Sequence, residues 1–201
     1  MTLRPKPRMK RLSIITAAIA LTSIAIIAGS CIERKPEHLT KKESPVSGEL
    51  SAMVAESESL QSDGKVSSEV RQGIIMRHHQ TVYDLLSQSL LIEPIDLYRA
   101  ALLLQDTVSQ PCAETWLLAH YMAAEAARKG YEGARYLAAA SYDRYLLARG
   151  HPQKYGTQQE RDRFGRWYIP FYDTLTTDSE RAAWDVPPLE KLKASASSRN
   201  K

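Results

Sequence analysis

The chain has 201 residues, enough for one domain with appendages, and its 27 basic and 23 acidic residues give a net charge of +4. That surplus is local. Arg4, Lys6, Arg8, Lys10 and Arg11 fall in residues 1–30, which hold no acidic group, and without them 22 basic residues face 23 acidic ones. A balanced remainder excludes the basic stripe that a phosphate backbone requires, so no nucleic-acid partner is expected.

The first element is a targeting segment: a basic stretch, an apolar core from Leu12 to Gly29, and small residues ahead of Cys31. Positive charge before the apolar run keeps the amino terminus cytoplasmic, so the rest of the chain is expected to be exported. Ala28-Gly29-Ser30-Cys31 resembles the bacterial lipobox, with Ala28 where that pattern prefers Leu. The resemblance implies lipidation of Cys31 as the mature amino terminus. An uncleaved anchor over residues 12–29 and ordinary cleavage with release are the alternatives. Lipid and anchor both place the domain on the extracytoplasmic side, in the cell envelope, with the membrane as a partner. Ile32 lacks the Asp that resembles an inner-membrane retention signal, which favours outer-membrane placement in a Gram-negative cell. With Cys31 committed, Cys112 stands alone and no internal disulfide is expected.

Residues 31–67 are dominated by Lys, Glu, Ser, Pro and Gly and read as a disordered tether, since such a composition cannot offset the entropy of ordering. One helical patch is expected within it, across Glu49–Leu60, where Leu50, Met53, Val54 and Leu60 fall near one face.

A domain over residues 68–192 follows. Val70, Ile74, Ile75, Val82, Leu85 and Leu86 recur at helical spacing after the cap candidates Ser67 and Ser68. Pro94 opens a second helix with Leu97, Ala100, Ala101 and Leu104 inward, and Pro111 breaks the chain again. Two Ala-rich helices come next, each ending at a basic residue followed by glycine. "AHYMAAEAARKGYEGARYLAAASYDRYL" resembles the helix pair of Sel1-type or tetratricopeptide repeats. With no second copy at a fixed period, a compact antiparallel bundle of four main helices is expected rather than a solenoid. Beyond Gly150, "KYGTQ" and "RWYIPF" are the strand candidates, joined as a short hairpin that must pack on the helices. A small helix capped by Thr177 or Asp178, a turn at Leu189–Leu192 and a polar tail over residues 193–201 close a mainly α fold.

Asp143, Arg144, Gly150, Pro152, Gln153, Tyr155, Gly156, Thr157 and Gln158 carry a further likeness. The stretch resembles a large bacterial family of unknown function that pairs an Asp-Arg dipeptide with Gly-x-Pro-Gln-x-Tyr-Gly-Thr-Gln. The likeness runs from about Ile74 to Leu192 and implies no particular reaction.

Two classes of function follow. If the domain is a cell-envelope hydrolase, the acid–base candidates are His79, His120 and Asp143. If it is a binding or scaffolding module, Arg144, Gln153, Tyr155, Thr157 and Gln158 form a polar wall for a protein or envelope-polymer partner. A structural reading competes with both: Asp143 and Arg144, adjacent and unable to pair with each other, clamp the segment after the helix. No HExxH, ExxH or paired CxxC spacing is present, so neither a metal nor another cofactor is expected.

Overall fold

The computed structural model describes residues 44–62, 64–106 and 112–200. Cys31, the apolar segment 12–29 and residues 31–43 lie outside the described residues. Among the described residues no helix is long and apolar enough to cross a membrane.

The main core is built by α1 (Ser47–Ser62), α2 (Ser68–Ser87), α3 (Pro94–Gln105), α4 (Ala113–Arg128) and α5 (Ala134–Ala148). Ser67 caps α2 by accepting from the Val70 amide at 3.4 Å, and Pro94 sits in the first turn of α3, where no amide is missed. Gly130 (φ +85°) and Gly150 (φ +74°) follow α4 and α5 in the left-handed conformation. The next amides, Tyr131 and His151, fold back onto the carbonyls of Ala126 and Leu146. Ala119, Ala123 and Ala126 of α4 lie buried, as do Ala134 and Ala138 of α5, so the two backbones approach closely.

The tether expectation fails for residues 44–62. Leu50 is fully buried, and Val46 and Met53 join it in the main core. Ser47 Oγ donates to the buried Asp96 carboxylate at 2.5 Å, and Ser57 Oγ donates to Asp106 one helix length further on. These contacts run α1 parallel to α3, and the expected helical patch is a core helix of 16 residues. One apolar face outweighs the polar composition around it, so the domain takes in residues 44–62 and has a fifth bundle helix.

The C-terminal arm also departs from expectation in register. β1 (Glu160–Arg161) and β2 (Trp167–Tyr168) pair antiparallel, with Glu160 opposite Tyr168 and Arg161 opposite Trp167. "KYGTQ" is not a strand, because Gly156 (φ +81°) turns the backbone and the flanking amides point to a carboxylate instead of a neighbouring strand. Gln153 makes a lone parallel bridge to Tyr172. α6 (Asp178–Ala182) begins with a capping box between Thr177 and Glu180. The expected turn and tail are one helix, α7 (Leu189–Ser198), held because Leu192 and Ala196 share a buried face. A second small core of Ala139, Tyr155, Ile169, Val186 and Leu192 joins this arm to α5, and Trp184 packs against both cores.

Candidate functional site

Asp143 lies on the inner face of α5 with its side chain fully buried. Oδ1 accepts from the Tyr155 amide at 2.9 Å. Oδ2 accepts from the Thr157 amide at 2.9 Å and from the Thr157 hydroxyl at 2.8 Å. Burial pushes the Asp143 carboxyl above the ordinary carboxylate range, while these donors pull it back. The carboxylate thus replaces a strand partner for the segment 155–157, and Gly156 supplies the turn that brings both amides onto it.

Gln153, fully buried, fastens the same segment from the other side. Its Nε2 donates to the carbonyls of Pro170 (2.9 Å) and Gln158 (3.2 Å), and its Oε1 accepts from the Gln158 amide (2.9 Å). Its main chain bonds to Phe171 and Asp173. Tyr155 is buried, and burial, with the Asp143 charge adding to it, pushes its phenol up to about 12. Gln153 and Tyr155 are therefore interior braces and not faces of an exposed polar wall.

Arg144 points from the adjacent face of α5, about 100° round the helix. Its Nε donates to Gln158 Oε1 at 2.9 Å and its Nη1 to the Gln105 carbonyl at 2.7 Å. Gln158 Nε2 donates onward to Thr157 Oγ1 (2.9 Å) and to the Ala140 carbonyl (3.2 Å). Arg144 has no ion pair within 4.0 Å among the described residues, and burial lowers its pKa. Together with Trp116, Leu147, Gln158 and Gln159 it lines a groove of about 370 Å³. Of the five binding candidates, Arg144 and Gln158 reach this groove, whereas Thr157 is spent on Asp143.

The histidines are engaged separately. His79 Nε2 lies 3.1 Å from the Leu103 carbonyl, and burial lowers its pKa. His120 Nδ1 lies 2.9 Å from the Ala138 carbonyl, with its ring against Tyr142 at 5.0 Å and Trp184 at 6.0 Å. Neither makes a hydrogen bond to Asp143. Among the described residues no group of three His, Cys, Asp or Glu side chains could hold a metal ion.

In comparisons with known proteins the chain matches no family model, no curated protein and no solved structure.

Arg181 of α6 belongs to the same assembly. It is 1% exposed, and its Nε donates to the Tyr155 carbonyl at 2.9 Å while Nη1 donates to the Thr176 carbonyl at 2.7 Å. Nη1 also pairs with the Asp178 carboxylate at 3.2 Å, three residues back, whereas its two shorter bonds go to main-chain oxygens that side-chain patterns do not reveal. His78, not His79, is the fully buried histidine of α2, with Nε2 2.8 Å from Glu56 on α1.

Proposed function

We propose that the chain is a membrane-tethered, extracytoplasmic bacterial lipoprotein whose helical domain serves binding or scaffolding. The observation that carries the domain's part is the saturation of Asp143. Both carboxylate oxygens are filled by internal donors, so the charged group nearest the motif is committed to architecture. A general acid or base must instead present a lone pair or proton to a reacting atom, within hydrogen-bond reach. The residues that resemble the family of unknown function are largely the ones that build this clamp, so the kinship belongs to the same proposal. The groove beside Arg144 and Gln158 is the binding face, because it sets Trp116 and Leu147 beside the polar side chains of Gln159 and Glu160 on a wall that Arg144 and Gln158 brace.

Two experiments test the two parts. Fatty-acid labelling in a bacterial host should mark the chain and spare Cys31→Ser; a labelled Cys31→Ser protein contradicts the lipid anchor. A photo-crosslinking residue placed at Gln159 should trap a discrete partner in intact cells, whereas the same residue at Met76 on α2 should not. Identical products from both positions contradict the groove as the binding face.

A further inference from the structure

The β1–β2 hairpin and the residues after it expose large rings that core packing does not require. Phe164 is 67% exposed, Tyr168 44% and Phe171 64%. Arginines stand over the rings of this arm. The guanidinium carbons of Arg163 and Arg166 lie 4.7 and 5.3 Å from the centre of Phe164, and those of Arg161 and Arg199 lie 4.8 and 3.7 Å from Trp167. The carboxylate within the turn is consumed locally: Asp162 accepts from the amides of Phe164 and Arg166 and pairs with the Arg166 side chain at 2.8 Å. Arg161, beside the half-buried Trp167, and Arg163, beside the exposed Phe164, are left as exposed cations.

Charge is uneven along the chain too. Residues 44–125 hold 4 basic and 11 acidic groups, whereas residues 126–200 hold 13 and 9. The hairpin belongs to the cationic half. The turn itself carries Arg161, Arg163 and Arg166 against Glu160 and Asp162, so an anionic plane attracts the hairpin.

We infer that the hairpin docks the domain on an anionic phospholipid surface. Phe164 and Phe171 sit at headgroup depth, where amphipathic and aromatic groups collect, and Arg161 and Arg163 face lipid phosphates. The inference rests on the membrane-tether reading and adds which face of the domain meets the bilayer. Chain length permits it. Ser47 lies by the start of α3, where Tyr98 meets Tyr131, whereas Glu160 at the start of the hairpin lines the groove with Leu147 and Ala148 in the last turn of α5. Fully extended, residues 31–43 reach at most ~45 Å. The 15 residues of α5 rise only about 22 Å.

The test uses the full chain with vesicles of phosphatidylcholine alone or of equal parts phosphatidylcholine and phosphatidylglycerol, reading flotation and amide hydrogen exchange. Exchange over residues 160–171 should slow on the anionic vesicles only. The double variant Arg161→Gln, Arg163→Gln removes two solvent-exposed cations and should keep the parent's melting temperature. It should lower the docking constant roughly 30-fold and return exchange to the neutral-vesicle rate. A chain that floats with both vesicles and exchanges equally on both overturns the hairpin while leaving the tether intact. Flotation with anionic vesicles alone, abolished by the double variant, overturns the tether while supporting the hairpin. Flotation with neither overturns both.

Discussion

Asp143 and Arg144 are neighbours in sequence that never touch, yet they are joined through two other residues. Arg144 Nε donates to Gln158 Oε1, Gln158 Nε2 to Thr157 Oγ1, and Thr157 Oγ1 to Asp143 Oδ2. The relay ties two neighbouring faces of α5 to the segment 155–158. A chain of this kind strengthens each member by polarisation and leaves no buried group without a role along it. It also explains why polar residues cluster where an Ala-rich hairpin gives way to irregular chain. The segment has no strand neighbour, so side chains supply the partners that its backbone needs.

Gly156 should tolerate a side chain in space but not in backbone. A Cβ there would lie 3.5 Å from Leu189 Cδ1, an ordinary contact, while φ stays at +81°. Gly156→Ala should therefore cost about 1–2 kcal/mol in urea denaturation. Gly156→Asn should cost less, because Asn visits the left-handed region more readily. Equal losses for the two would point to packing instead.

Arg181 should not be replaceable by lysine. Its planar fork serves the carbonyls of Tyr155 and Thr176 together, and a single ammonium cannot reproduce that geometry. Both Arg181→Ala and Arg181→Lys should lose about 3 kcal/mol, each leaving buried carbonyls unpaired. Limited proteolysis should then cut residues 150–177 first. A lysine variant as resistant as the parent would remove Arg181 from the assembly.

His79 gives stability a defined pH dependence. Burial, the largest cause, lowers its pKa from the ordinary 6.5, and the Leu103 carbonyl is the first of several opposing influences. On acidification the unfolded chain therefore takes up this proton first. The His79 contribution is complete above 6.5 and declines as pH falls from 6.5 towards the folded-state value. Asp143 runs the other way, its raised pKa making the fold gain stability as pH falls from that raised value towards 3.8. Urea midpoints of the parent minus those of His79→Gln across this range isolate the histidine. The difference should shrink on acidification, and a constant difference contradicts the assignment.

Leu50 tests where the domain begins. As part of a loose tether it would matter little; as a fully buried core residue of α1, its replacement by Ala should cost about 2–5 kcal/mol. Thermal melting of Leu50→Ala at the parent's temperature would return residues 44–62 to the tether.

The bundle was legible because its helices carry clear punctuation: Ser67, Pro94, Gly130 and Gly150 stand at their ends, and alanines mark the α4–α5 contact. The α1 helix was visible as an apolar face, but its core role was hidden by composition, since burial depends on a groove that other helices provide. Asp143, Arg144, Gln153, Tyr155, Thr157 and Gln158 could be picked out as polar groups in an unusual stretch. Their division into interior braces and groove lining was not readable, because it follows from main-chain direction at Gly156. Arg181 is legible in the sequence only as the i,i+3 partner of Asp178, because its carbonyl acceptors lie 26 and 5 residues back along the chain.

The central claim is that Asp143 holds the 155–157 segment. A double-mutant cycle between Asp143→Ala and Thr157→Val, read by urea denaturation, tests it most directly. Thr157→Val deletes one donor and keeps the amide, so the cycle reports the 2.8 Å hydroxyl–carboxylate bond. The account predicts a coupling of about 1.5–3 kcal/mol, as for a buried hydrogen bond to a charge, and a larger loss for Asp143→Ala alone. Zero coupling, with Asp143→Ala as stable as the parent, would contradict it.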